Sequence, residues 1–512
     1  MPVPRPLPLS AALTAMFATA LALPAHGQSL IDLYESARGY DATYQGAIAQ
    51  YDASVARAAQ AKAGILPQVG LSANATTIEQ ELSTTNASIR RGLPSQTAGI
   101  NASQPLHRPA NWAAWEQAKR QVDMAQDTLT LAEQDLIVRV SQAYFDVLSS
   151  QDTLALVRAQ KVATAEQLAS AKRNFEVGTS TITDQREAQA RYDLVIAQEI
   201  AAENDLQVKK IALDQLVGRP GTSPIPLAGP VVLPAVLPAD MEAWVSQADA
   251  THPAIEQARL GLDVASLEVD KARAGHKPTL DAQLGYNATN NPMGTTTSTS
   301  TGRVNVRAAS IGVVFNLPLF AGFATENRVK ETLALEEQSR QTLESTRRSV
   351  SQATRTAYLG LVSGAGQVKA LEAAESSSQS ALDANQLGYQ VGVRINIDVL
   401  NSQSQLFQTK RDLAVARYNV LLGNLKLRQA NGSLKQDDLQ AINNTLATNG
   451  PASGSSAASP NQPSAATQSP VPVPPTQPFA PPAAQTPPVN PQPSPGPGAP
   501  LPPPTIVPPP TR

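Results

Sequence analysis

Apolar residues recur at three- and four-residue spacing through residues 111–177, a stretch with no Gly and no Pro. Leu129, Leu136, Val140, Tyr144, Val147 and Leu148 mark the seam. That period predicts one uninterrupted helix with coiled-coil-like packing, roughly 100 Å long at about 1.5 Å per residue. A shorter helical pattern precedes it over about 29–63 and ends at an "AG..P" signal. Another follows from Asp184 to Val217. Between the first two, "QVGLSANATTIEQEL" and "TAGINASQPL" alternate apolar with small polar residues at period two and predict strands.

The whole order is written twice. "KAGILPQ" (62–68) returns as "RAGHKPT" (273–279), "SQPL" (103–106) as "NLPL" (316–319), and "AYFDVL" (143–148) as "AYLGLV" (357–362). "RNFEVGTSTITDQREAQ" (173–189) returns as "LGYQVGVRINIDVLNSQ" (387–403). Repeats of this size are copies of one supersecondary unit, with boundaries expected near 28–230 and 231–445. The second copy carries a helix over 240–274, strands in "TLDAQLGYNAT" and "ASIGVVFNLPL", and a long helix whose Gly360, Gly364 and Gly366 predict a bend or weak point. Each unit places its strands at one end of the long helix and its Val-Gly turn at the other. Two half-length helices stacked beside the long one would complete a helical wall about 100 Å tall.

Two strands per unit make four per chain, too few to close a barrel around a pore. Alternation of Thr/Ser/Asn/Gln with Val/Leu/Ile/Ala suits an outer-membrane barrel, which then needs two or more copies of the chain. The competing reading is a structural periplasmic coiled coil with a polar β cap and no channel activity.

Composition narrows this further. Net charge is −2, which gives no electrostatic reason to expect a nucleic-acid partner. There is no Cys, which removes disulfides, thiolate chemistry and Cys-type zinc sites. The four histidines show no metal spacing, and no phosphate loop or nucleophile elbow is present, so neither an enzyme nor a cofactor is expected. Residues 1–27 have the form of a secretory signal peptide: Arg5, the apolar "LSAALTAMFATALALPA", and small residues at Ala25 and Gly27. No later apolar run reaches about 18 residues, so no transmembrane helix is predicted. Residues 446–512 hold more than half of the 42 prolines and are expected to be a disordered tail. The Pro-rich stretch 219–238 reads as a linker between the units.

The motifs "AYFDVL", "RNFEVGTSTITD", "QLVGRPG", "NLPLFAG", "GYQVGVRINIDVL" and "LAVARYNVLL", in this order, resemble the TolC-type outer-membrane efflux and secretion proteins over nearly all of 28–445. The resemblance implies a mainly α fold with a small β part. A homotrimer would build a 12-stranded transmembrane β-barrel and a long antiparallel α-helical barrel crossing the periplasm. It implies a passive conduit in the outer membrane, for drug efflux or type I protein secretion, served by a periplasmic adaptor (membrane fusion) protein. An inner-membrane transporter of RND, ABC or MFS type would supply the energy. It also implies a gate at the periplasmic hairpin end. By motif, Tyr389 and Arg394 of the second copy bond to Thr183 and Asp184 of the first. Val177, Gly178, Val391 and Gly392 form the hairpin turns and adaptor-docking tips. Asp398 and Asn401 line the pore constriction; the family pattern has Asp at both, so one acidic ring and one amide ring are expected here.

Overall fold

The computed structural model describes residues 27–84, 87–227, 237–295 and 302–444. The expected signal peptide (apart from Gly27), the Pro-rich tail and residues 228–236 of the linker lie outside them.

The chain is mainly helical, with one small sheet. Helices α1 (Leu30–Tyr40) and α2 (Ala42–Ala63) lead into strands β1 (Gln68–Thr84) and β2 (Ala87–His107). Helix α3 (Pro109–Glu176) then runs 68 residues without a break and is followed by α4 (Ile182–Val217). The second half repeats the order with α5 (Met241–Thr251), α6 (Pro253–Arg273), β3 (Thr279–Asn291), β4 (Val304–Asn316), the 67-residue α7 (Ala324–Gln390) and α8 (Asn396–Ala430). A short α9 (Gln436–Asn443) ends the described part.

Two expectations need correction. The segments 29–63 and 240–274 are each two helices, not one. Asp41 leaves the helical region (φ −60°, ψ 116°) and caps α2, accepting from the Tyr44 amide at 2.8 Å. Its carboxylate also takes a bidentate pair from Arg139 on α3, at 2.9 and 3.1 Å. A short carboxylate satisfies orphan amides only where the helix restarts, and the Arg139 fork fixes it there. In the second copy His252 is extended because Pro253 disfavours the α region in the residue before it. The second correction concerns α7, which stays one α-helix through Gly360, Gly364 and Gly366. Gly364 sits where a Cβ would lie 3.3 Å from the Val420 side chain, so it permits close approach of α7 and α8 rather than a break.

α2 and α4 both pack along α3, and α6 and α8 both pack along α7. α3 also touches α6 and α8, so the two repeats share one packed layer. The main core gathers Leu33, Tyr34, Leu136, Tyr144, Phe145 and Leu421. Buried tyrosines find partners there: Tyr144 donates to the Ile225 carbonyl at 2.8 Å and Tyr418 to Asp152 at 2.6 Å. The two long helices differ in surroundings. α3 is buried on several sides through 134–148. α7 buries a narrow stripe, Leu343, Val350, Leu361 and Val368 among it, mostly seven residues apart, and exposes Leu335, Leu359 and Val362. Seven-residue spacing is the seam of a helix packed against one neighbour.

The sheet is antiparallel in the order β1-β2-β3-β4, so the repeats meet at the β2–β3 pair. β1 and β4 are its two edges.

Candidate functional site

The register of the sheet sorts its side chains into two faces. Leu71 pairs with Ile100, Ile100 with Tyr286, and Leu284 with Ile311. These lie on one face, and Leu71, Leu284 and Ile311 are each more than half exposed. The opposite face carries Asn74 across from Thr97, Thr97 across from Thr289, and Asn101 across from Gly285. Thr97 and Thr289 hydroxyls are 3.1 Å apart. A sheet that is bare and apolar on one face and polar on the other belongs between lipid and a water-filled lumen. Among the described residues no helix is long and apolar enough to cross a membrane.

The other end of the long helices is closed by two hairpin turns of the same construction. Gly178 (φ 77°) and Gly392 (φ 81°) take the left-handed conformation that ends each helix. In the first turn the amides of Thr179 and Ser180 donate to the Asn174 carbonyl at 2.8 and 3.2 Å. In the second, those of Val393 and Arg394 donate to the Gly388 carbonyl at 2.9 and 3.1 Å. Both tips are apolar and uncovered: Val177 is 72% and Val391 66% exposed.

The helices leaving the turns start differently. α4 begins with a capping box, in which Thr181 and Asp184 bond each other's amides. The Thr183 hydroxyl lies against that of Thr181. α8 begins at Ile395 with no side-chain cap.

Asp184, Tyr389 and Arg394 line one cleft between the hairpins, together with Gln167, Asn174 and Asn396. Their bonds within the chain are not the expected ones. The Tyr389 hydroxyl accepts from Asn174 Nδ2 at 3.0 Å. Arg394, in the turn before α8, pairs with Asp398 in the first turn of that helix, at 3.6 Å, while Asp184 serves its helix cap. Asn401 is exposed and accepts from Arg191 of α4 at 2.8 Å. The expected acidic position and the expected amide position therefore each stand beside a guanidinium.

Arg191, Asn174, Gln167 and Asn396 were not singled out by sequence reasoning. Aligning the turns at an offset of 214 residues places Asn396 opposite Ile182, a polar-for-apolar exchange that was a readable signal.

The outer membrane efflux protein model matches residues 33–219 and 244–433, one span in each repeat. The chain belongs to the outer membrane efflux protein family. It is 32% identical over 416 residues to the outer membrane protein TolC of Vibrio cholerae, covering 81% of this chain and 93% of that protein. It is 30% identical over 421 residues to the alkaline protease secretion protein AprF of Pseudomonas aeruginosa, covering 81% and 86%. Among solved structures, the outer membrane protein VceC of Vibrio cholerae superposes with a TM-score of 0.66 at 20% identity, covering 79% of this chain and 96% of that one.

Family membership makes this an outer-membrane channel protein of the efflux and secretion class, with its helices in the periplasm, and not an enzyme. The apolar face of the sheet is thus the lipid face, and the Val-Gly turns are the periplasmic end.

Proposed function

We propose that three copies of this chain assemble into a 12-stranded barrel in the outer membrane, continued by a helical tunnel that is gated at the Val-Gly turns. The observation that carries the reading is the four-stranded sheet itself: it has one lipid-type face, one lumen-type face and two unpaired edges. Edges are not tolerated within a bilayer, and β4 of one copy pairing with β1 of the next removes them all. The uncovered apolar positions of α7 supply a matching helical contact between copies.

A signal peptide over residues 1–27 directs the chain across the inner membrane. The units 28–230 and 231–445 form the channel. The exposed Val177 and Val391 tips present apolar knobs to a periplasmic adaptor, which connects the tunnel to an inner-membrane transporter. Conduction is passive, and the transporter selects the cargo.

Tyr389, Arg394, Thr183 and Asp184 act as the latch. Arg394 has a side chain 59% exposed and, among the described residues, a long pair to Asp398, so it retains donors for the Thr183–Asp184 corner of a neighbouring copy. Such charge-assisted links are individually modest and reversible, as a latch requires. The test is the double replacement Tyr389→Phe with Arg394→Ser, which leaves the trimer intact. Single-channel conductance in planar bilayers and vancomycin sensitivity of cells should both rise. Unchanged values in both would remove the latch. A purified protein that is monomeric in detergent and non-conducting would remove the channel assembly.

A further inference from the structure

Near the turns, three side chains of the second hairpin, Tyr389, Asn401 and Asn396, tie it to the first, and the ties are not alike. Asn174–Tyr389 and Arg191–Asn401 lie at least partly in solvent. The third joins a buried side chain to half-buried partners. Asn396, the first residue of α8, is 1% exposed. Its Oδ1 accepts from Gln167 Nε2 on α3 in a short hydrogen bond, and its Nδ2 donates to the Asp184 backbone carbonyl on α4 at 3.3 Å. One side chain therefore holds α8 to both arms of the opposite hairpin.

This placement reverses what packing alone would choose. The equivalent position in the first turn is Ile182, which is 45% exposed. The repeat thus exposes an isoleucine and buries an amide. A buried amide is costly unless partnered. Where it is partnered, it penalises every arrangement that breaks the pairing without wetting it. Polar groups of this kind fix register at the expense of stability. Exposed ties exchange for water at little cost when helices splay, so they discriminate weakly between open and closed hairpins.

We infer that Asn396 is the pin that sets the closed register of the periplasmic gate. It is a positioning residue that acts through the first turn of α8 on Arg394, two residues before it, and on Tyr389. This rests on the gated-channel reading above. Release is reversible: once α7 and α8 move away from α3 and α4, water satisfies both amides.

Asn396→Leu keeps the site packed but leaves the Gln167 amide without its acceptor. Gln167 is half-buried, so its unpaired donor should raise the open fraction about fivefold per chain. Replacing both partners by apolar groups removes that penalty. Gln167→Leu combined with Asn396→Leu removes that penalty but also the pin, so basal conductance should fall below that of Asn396→Leu and stay above the parent value. A residue with only a packing role would show no such rescue.

The experiment compares planar-bilayer conductance of the trimeric parent, Asn396→Leu, Gln167→Leu with Asn396→Leu, and Tyr389→Phe with Arg394→Ser. A leak in the single variant that the second leucine lowers without abolishing supports the pin, and a double variant that conducts like the parent overturns it. If Asn396→Leu conducts like the parent while the Tyr389/Arg394 variant leaks, the pin is overturned and the gate reading stands. If neither leaks, the gate reading falls, and the pin falls with it. Should Asn396→Leu fail to assemble, Gln167→Cys with Asn396→Cys takes its place, since the chain has no other cysteine. Bridging that pair with a short bis-maleimide should close a channel that leaks unbridged. A leak unaffected by bridging also overturns the pin.

Discussion

Removing Arg191 should make the channel far more sensitive to block by multivalent cations. The family resemblance implies a constriction with one acidic ring from Asp398 and one neutral ring from Asn401. The guanidinium of Arg191, 2.8 Å from Asn401 Oδ1, would in the proposed trimer add a positive ring at the same level. Arg394 stands 3.6 Å from Asp398. Arg191→Gln deletes one positive charge per chain, three in a trimer. Taking about 7 Å from that position to a trivalent cation on the axis, each charge is worth about 1.8 kcal/mol at the dielectric of water. Screening at physiological salt reduces this to about 0.7 kcal/mol. Three chains then contribute about 2 kcal/mol, or about 30-fold in the blocking constant. Asn401→Asp changes the charge by the same amount and should have a similar effect. The double variant should fall somewhat above the product, by the exposed Arg–Asp pair that the single Asn401→Asp variant retains, about 0.2–1 kcal/mol. Hexaamminecobalt(III) titrations of bilayer conductance on the four proteins measure all of these terms. If Arg191→Gln leaves the blocking constant unchanged while Asn401→Asp tightens it, Arg191 does not face the conduit and the reasoning fails.

Gly388→Ala should separate gating from stability: a Cβ there would lie 2.7 Å from Arg394 Cγ and displace that side chain, whereas alanine favours the helix by about 1 kcal/mol. Melting temperature should hold or rise while basal conductance increases, and a fall in melting temperature with unchanged conductance would refute it. Burial, with Glu256 and Asp123 nearby, raises the Asp127 carboxyl to about 6. The folded state then binds its proton more tightly than the unfolded chain, so this group's contribution to stability declines as pH rises from about 4 to 6. Asp127→Asn should raise the melting temperature at pH 7.5 and have little effect at pH 4; equal shifts at both would exclude titration as the cause. Arg139 holds the Asp41 carboxyl below its ordinary range, which has the opposite sign. Its stabilisation is present at neutral pH and lost as pH falls through the lowered value, so Asp41→Asn should destabilise at pH 7 and cost less in acid.

Elements whose pattern was long and regular were legible. The span 111–177 excluded helix breakers and is one helix from 109 to 176. The breaks at Asp41 and His252 were also written in the sequence, as a capping residue and as the residue before a proline, but the helical periodicity resumes on the far side of each. A single interruption does not disturb a pattern averaged over several turns. The glycines of α7 misled for the opposite reason. Read locally they weaken a helix, yet Gly364 faces Val420 of α8, and the space a missing Cβ leaves there is filled by that side chain.

The periplasmic site divides along the same line. Repeat comparison located both turns, because a glycine at positive φ and the spacing to the next helix are local properties. It also marked the positions at which the copies differ. It did not identify which residues bond, because each pairing joins side chains some 210–230 residues apart. Partners at that separation are chosen by how far one hairpin is rotated and raised against the other. A shift of one helical turn, about 5.4 Å, would give every one of these side chains a different neighbour. The dependence runs in both directions. If small displacements exchange partners, then the partner set observed defines one displacement, and a buried member such as Asn396 defines it more strictly than the exposed ones. The cleft residues that sequence reading missed are thus those whose partners depend on how one hairpin is placed against the other, and under the proposed gate mutations there should alter opening more than folding.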